Sequence, residues 1–340
     1  MRPRQQMKEA TLWRPKDGMA LCFLCAHHCR IEEGKRGLCG VRLNKGGALY
    51  TLVYGKLISR AVDPIEKKPL YNFLPGTRSY SIAAPGCNFF CDFCQNWQIS
   101  QMTHEDGTIY GEDFTPEAVV SEAQSYGCAS ISYTYTEPTI FFEFAYDCAV
   151  LAHKAGLKNV FVTNGYQTAE TVERMTGVID AANVDLKSFS DRFYRGHCGA
   201  RLAPVLNSIR RMHEKGILLE ITTLVIPGEN DSEQELKQIA EFIASVSREM
   251  PWHVSRFHPD YRTQDKDWTP AETVFRAAAI GEAAGLKFVY AGNLPGGKYE
   301  HTYCPDCGAK VIERSGFSSK KVGLDGTKCR KCGRSFGGIT

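Results

Sequence analysis

The chain has 340 residues, 43% of them hydrophobic and 23% charged, with a formal net charge of +3. That length suits one large α/β domain with small attachments, or two ordinary domains, and the composition is globular rather than disordered. So mild a charge, with no basic block, argues against a nucleic-acid partner. No apolar run reaches the length of a membrane span and no signal-peptide core is present, so no membrane association and a cytoplasmic location are expected.

Met7 could itself be a start, which makes residues 1–6 an optional extension. Residues 1–78 then read as a cysteine-rich metal module, a hairpin over ALYTLVYGKLIS and a loop, DPIEKKPLYNFLPG. From 79 to 291 short strands alternate with helical periodicity. Strands are expected at 79–84, 130–135, 160–163, 183–186, 218–225, 253–257 and 286–291. The segment TPEAVVSEAQSYG between the first two carries an N-cap, proline at the first helical position and a closing glycine. Strands alternating with crossover helices imply a parallel sheet, either a partial (β/α) barrel or an open doubly wound sheet. In both, ligands sit at the C-terminal ends of the strands. Residues 292–340 form a cysteine-bearing tail.

Fourteen cysteines are present, eleven of them in three tight groups. Closely spaced cysteines in a cytosolic protein usually bind metal, whereas disulfide scaffolds belong mainly to short secreted chains. Directly after the first strand comes Cys87-x3-Cys91-x2-Cys94, with Phe93 before the third cysteine. Three thiolates ligate three irons of a [4Fe–4S] cube and leave the fourth open. A structural zinc would want a fourth protein ligand, for which His104 is the nearest candidate. At the tail, Cys304-x2-Cys307 and Cys329-x2-Cys332 form a zinc-ribbon pattern, closed and structural, with rubredoxin-like iron the lesser alternative. At the N-terminus, Cys22, Cys25, Cys29 and Cys39 read first as four-cysteine zinc, with a second iron–sulfur cluster as the alternative.

The C-x3-C-x-aromatic-C motif after the first strand of a β/α repeat resembles the signature of the radical S-adenosylmethionine (SAM) superfamily. The resemblance implies a partial (β/α)6 TIM-like barrel. It also implies SAM chelated at the open iron and cleaved to a 5′-deoxyadenosyl radical that abstracts hydrogen. Later strand ends are similar to those of glycyl-radical-enzyme activases, which implies SAM contacts at Thr136, Glu137, Asn164, Asp185, Lys187 and His258, beside Phe93. Each has an ordinary reading as well: Glu137 a helix cap, Asn164-Gly165 a turn, Asp185–Lys187 a surface pair, His258 a loop histidine. Cys198, in GHCGA after the fourth strand, is a candidate catalytic thiol or a buried structural one.

The order of the N-terminal module, PIEKKPL, CQNW and the terminal ribbon resembles the radical SAM protein of the AmmeMemoRadiSam system, related to pyruvate formate-lyase activating enzymes. That implies Memo-like and AMMECR-type proteins as partners, together with a flavodoxin- or ferredoxin-like low-potential electron donor. The expected function is hydrogen abstraction from a partner protein or peptide. The alternatives are modification of a small metabolite and a zinc-binding scaffold without SAM cleavage.

Overall fold

The computed structural model describes residues 7–105, 107–294 and 296–337, so the optional extension at 1–6 lies outside the described residues. One eight-stranded sheet organises the chain: β1 (Ser59–Pro64), β2 (Arg78–Ala83), β3 (Ser130–Tyr133), β4 (Lys158–Thr163), β5 (Ala181–Asp185), β6 (Leu218–Val225), β7 (Trp252–Arg256) and β8 (Val289–Gly292), in that spatial order. β1 runs antiparallel to β2, and every later neighbour is parallel. The parallel strands are joined by α1 (Pro116–Ser125), α2 (Phe142–Lys154), α3 (Ala169–Met175), α4 (Leu202–Glu214), α5 (Glu233–Val246) and α6 (Ala271–Ala283). The seven strands and six crossovers read from the sequence are all present, with boundaries displaced by three residues at most.

Local chemistry explains the helix starts. The Thr115, Thr168 and Ser232 side chains accept a backbone N–H in the first turns of α1, α3 and α5, each satisfying a donor the helix leaves unpaired. β3 is buried at all four positions, as a strand covered on both faces must be. Among the described residues no helix is long and apolar enough to cross a membrane.

β1 and β8 do not pair with each other among the described residues. Because β1 is antiparallel, the loop after it lies at the N-terminal ends of the parallel strands. From there it reaches across the sheet. Tyr71 and Asn72 donate backbone N–H groups to the Glu220 carboxylate of β6 at 2.9 and 2.7 Å. Tyr71 packs on Tyr290 of β8 with ring centroids 4.7 Å apart. The tail locks this bridge: buried Arg314 donates to Tyr71 O at 2.6 Å and lies 4.2 Å over its ring.

The N-terminal region departs from the expected hairpin. Ala48–Thr51 pairs with Arg42–Lys45, while Lys56–Leu57 pairs with Glu112–Asp113. The two-residue connection Gly46-Gly47 has φ of 64° and 76°, a turn that glycine enters without steric cost and that matches strand twist. This module is pinned to α2 by Arg42, which donates to both oxygens of Glu143 at 2.7 and 2.8 Å.

Candidate active site

β2 delivers the chain into Pro85-Gly86-Cys87. Gly86 has φ +102°, and a Cβ there would stand 2.9 Å from Thr103 Oγ1, so only glycine lets the turn pass. The loop is then held from the side: Phe90 N–H donates to Cys198 O at 2.9 Å and Asp92 N–H to His197 O at 3.2 Å. In this setting Cys87, Cys91 and Cys94 line one side of a cavity in which the centre of a water molecule has about 450 Å³ of space. Phe93, Thr136, Asn164, Asp185 and Lys187 line it as well, so residues singled out at four successive strand ends meet in one place.

The charge arrangement is specific. Lys187 Nζ donates to Asp185 Oδ2 at 2.8 Å and lies 5.8 Å from the centre of the Phe93 ring. Burial works against its charge, but Asp185 and the sulfurs of Cys91 and Cys198 outweigh it and hold the ammonium well above its usual range. Burial pushes the Cys87 thiol up strongly, with the Glu137 charge adding to it. Cys91 is lowered, first by the hydrogen bond from Cys198 and then by Lys187, against its burial. Asn164 Nδ2 donates to Asn88 Oδ1 at 2.7 Å, and Thr136 Oγ1 to Ala84 O at 2.7 Å.

Three of the residues singled out in the sequence lie outside the cavity lining. Glu137 is fully buried, does not line the cavity, and accepts from Thr139 N, Thr139 Oγ1, Thr163 Oγ1 and Asn164 N at 2.5–3.0 Å. It therefore ties the ends of β3 and β4 together from behind, and burial raises its pKa despite those donors. Cys198 is fully buried, lies behind Cys91 and does not line the cavity. His258 stacks on Trp268 at 5.4 Å, outside the lining; the histidine of β7 that reaches the cavity is His253, bonded to Glu220 at 2.6 Å.

Sequence reasoning passed over the far wall. Lys67 and Lys68 line the cavity beside Tyr135; both lysines donate to Asp63, whose carboxylate also accepts from the Tyr135 hydroxyl. The one signal in the sequence was an acidic residue at the end of a strand with two adjacent lysines in the loop that follows it. Burial opposes the charge of Asp63, but Lys68, Tyr135 and Lys67 overcome it and hold the carboxyl well below its usual range.

The donor set can be tested against a metal. His104 Nε2 is 2.8 Å from Cys87 O and its ring packs on Phe90, so it is not turned to the three sulfurs. Three soft thiolates facing a cavity, with no fourth ligand drawn to them among the described residues, fit a [4Fe–4S] cluster with one iron open better than closed zinc. The tail is different. Cys304, Cys307, Cys329 and Cys332 bring their sulfurs within 4.8 Å of one another, with Cys304–Cys332 at 3.5 Å and Cys307–Cys329 at 3.7 Å. Tetrahedral zinc with 2.3 Å bonds to sulfur wants edges of about 3.8 Å.

Residues 81–243 match the family model described as the radical SAM superfamily. An uncharacterized protein of Methanocaldococcus jannaschii, MJ0808, is 45% identical over 334 residues, covering 97% of this chain and 99% of its own. The chain carries a radical SAM domain. It is also similar to the benzylsuccinate synthase activating enzyme of Thauera aromatica, 25% identical over 58% of this chain and 67% of that one. Among solved structures, a radical SAM methyltransferase from Sphaerobacter thermophilus shares the fold, with a TM-score of 0.50 at 15% identity over 65% of this chain and 68% of that chain. A radical SAM protein is an enzyme, and the domain implies a [4Fe–4S] cluster and SAM. The matched span runs from within β2 through most of α5, so it contains the three cysteines and the Asp185–Lys187 pair.

Proposed function

We propose that this chain is an activase-like radical SAM enzyme acting on a partner protein or peptide. Cys87, Cys91 and Cys94 would hold the cluster inside a partial barrel. The observation that carries the reading is the convergence of those three thiols with Asn164, Asp185 and Lys187 around one cavity at the C-terminal strand ends. When bound, the cluster supplies the electron that splits the S–C5′ bond of SAM into methionine and a 5′-deoxyadenosyl radical, which takes a hydrogen atom from substrate.

The chain's own residues do the positioning. Lys187 presents an ammonium to the SAM carboxylate and Asp185 a carboxylate to its amino group, with the pair pre-oriented by their mutual 2.8 Å contact. Asn164, fixed through Asn88, supplies a neutral polar wall. Phe93 shields one side from water, and so keeps the charged contacts in a low-dielectric setting.

A large substrate is favoured over a small metabolite because the cavity reaches the unpaired β1–β8 seam, lined by Lys67, Asn293 and the half-exposed Phe317. Zinc in the terminal ribbon, and Memo-like and AMMECR-type proteins as partners, complete the proposal. The test is anaerobic: iron- and sulfide-loaded protein receives dithionite and SAM, and 5′-deoxyadenosine is measured. Product from wild type and none from Cys87→Ala is expected. Equal product from both would overturn the assignment. Adding a Memo-like or AMMECR-type protein and recording a protein-centred radical by electron paramagnetic resonance separates the macromolecular from the small-molecule reading.

A further inference from the structure

We propose that Cys22, Cys25, Cys29 and Cys39 hold a second cluster of the four-iron, four-sulfide type, and not the zinc that four cysteines first suggest. The chain carries its own comparison. The terminal ribbon draws four sulfurs within 4.8 Å of one another, the compact arrangement a single tetrahedral ion requires. It is the one set of three or more potential ligands drawn that close among the described residues. The N-terminal four stay further apart, yet all of them line one small, largely enclosed apolar cavity with Leu24, Ile31 and Ile140. The centre of a water molecule has about 20 Å³ of space there. A closed zinc site leaves no such gap, because the ion bonds every sulfur directly. A cube of irons and sulfides stands between its thiolates, holds them apart and fills the space. Cys87, Cys91 and Cys94, which the proposed function assigns to a cluster, are spread in the same way, and this second comparison rests on that reading.

A second observation marks the cavity as an anion site. Arg42 lines it, is 2% exposed, and has its Nε without a hydrogen-bond partner. An unpaired N–H at that depth is costly unless an acceptor faces it, which metal-bound thiolates supply whichever metal holds them.

The location also distinguishes the site from a peripheral zinc knuckle. Cys25 bridges Gln167 in a β-contact, and Ala26 N–H donates to Tyr166 O at 2.9 Å. His27 Nε2 sits 2.8 Å from Asn88 O, the residue next to Cys87, and its ring packs on Tyr166 at 4.8 Å. Tyr166 in turn packs on Phe89 at 5.1 Å. The module therefore abuts the loop that carries the first cluster's ligands.

The experiment uses the full chain, loaded anaerobically with iron, sulfide and zinc, as wild type, as Cys22→Ala/Cys25→Ala and as Cys87→Ala/Cys91→Ala/Cys94→Ala. Iron, acid-labile sulfide and zinc are counted per chain, and Mössbauer spectra identify the cluster type. The expected iron contents are about eight, four and four, with about one zinc in each protein. The three-alanine variant leaves the N-terminal module intact, so it decides the matter even where the N-terminal variant folds poorly. A three-alanine variant with no sulfide and about two zinc would overturn the proposal. Wild type with about four iron, retained by the three-alanine variant and lost from the N-terminal one, would uphold this site while removing the first-cluster assignment.

Discussion

The Arg42–Glu143 pair joins the N-terminal module to the sheet domain, and its burial makes a sharp energetic prediction. The two residues are 2% and 3% exposed. Glu143 accepts four hydrogen bonds: two from Arg42 Nη2, and one each from Thr11 N and Thr11 Oγ1 at 2.7 and 2.9 Å. Replacing Glu143 with Leu strands a guanidinium in the interior, a loss of about 3–5 kcal/mol. Thr11 is only half-buried, so water can take up its freed donors and little is added. Arg42→Met/Glu143→Leu removes both charges and refills the space with methylene groups, for a net cost of about 0–2 kcal/mol. Against a total stability of about 5–15 kcal/mol, the single variant should lose about a fifth or more and the double variant clearly less than the single. Urea unfolding of protein free of iron and sulfide, followed by circular dichroism, gives each value by linear extrapolation and keeps the proposed cluster's charge beside Arg42 out of the comparison. The reasoning fails if Glu143→Leu costs less than about 1.5 kcal/mol, or if the double variant costs the sum of the two singles.

Glu137→Gln places an amide nitrogen against backbone and hydroxyl donors, leaving at least two buried polar groups unpaired at a cost of about 2–4 kcal/mol. SAM affinity, measured by equilibrium dialysis, should change by less than about tenfold; a stable variant with strongly weakened SAM binding would return Glu137 to the role of a SAM ligand. Cys198→Ala should keep its iron and sulfide and still cleave SAM, while the cluster's reduction potential falls because a hydrogen bond to the Cys91 sulfur is gone. An unchanged potential, with hydrogen transfer to substrate abolished, would instead make Cys198 a reacting thiol.

Much of the architecture was legible because periodicity and punctuation agreed. Thr115-Pro116 at the start of α1 and Gly127 after it carry the same message as the buried run of β3. The three-cysteine loop was legible as a metal site from its spacing at a strand end, and as a cluster loop through the resemblance of that spacing to the radical SAM signature. The side chains behind the site were not. Glu137 and Asp185 are both carboxylates at strand ends; only the fold reveals that one is saturated by donors from its own scaffold while the other faces the cavity. Cys198 illustrates the same limit, since a loop thiol and a thiol buried under Cys91 read identically as GHCGA. His258 and His253 differ by five positions, and which of them enters depends on where β7 ends, the least certain quantity in any pattern reading.

The metal modules carry this argument furthest. Two four-cysteine sets look alike as text, because ligand type is the same and spacing within a knuckle is short in both. They differ in what lies between the sulfurs, which is a property of the enclosing walls. In the ribbon the walls close to single-ion distances. In the N-terminal module Leu24, Ile31 and Ile140 share one apolar cavity with the four cysteines and Arg42. Hydrophobic side chains that hold ligands away from each other in a close-packed interior store a gap costing stability, unless something fills it. On this proposal the choice of metal is set by apolar residues that are not its ligands, and a substitution such as Ile31→Phe should shrink the cavity and lower the iron and sulfide counted per chain without removing a single ligand.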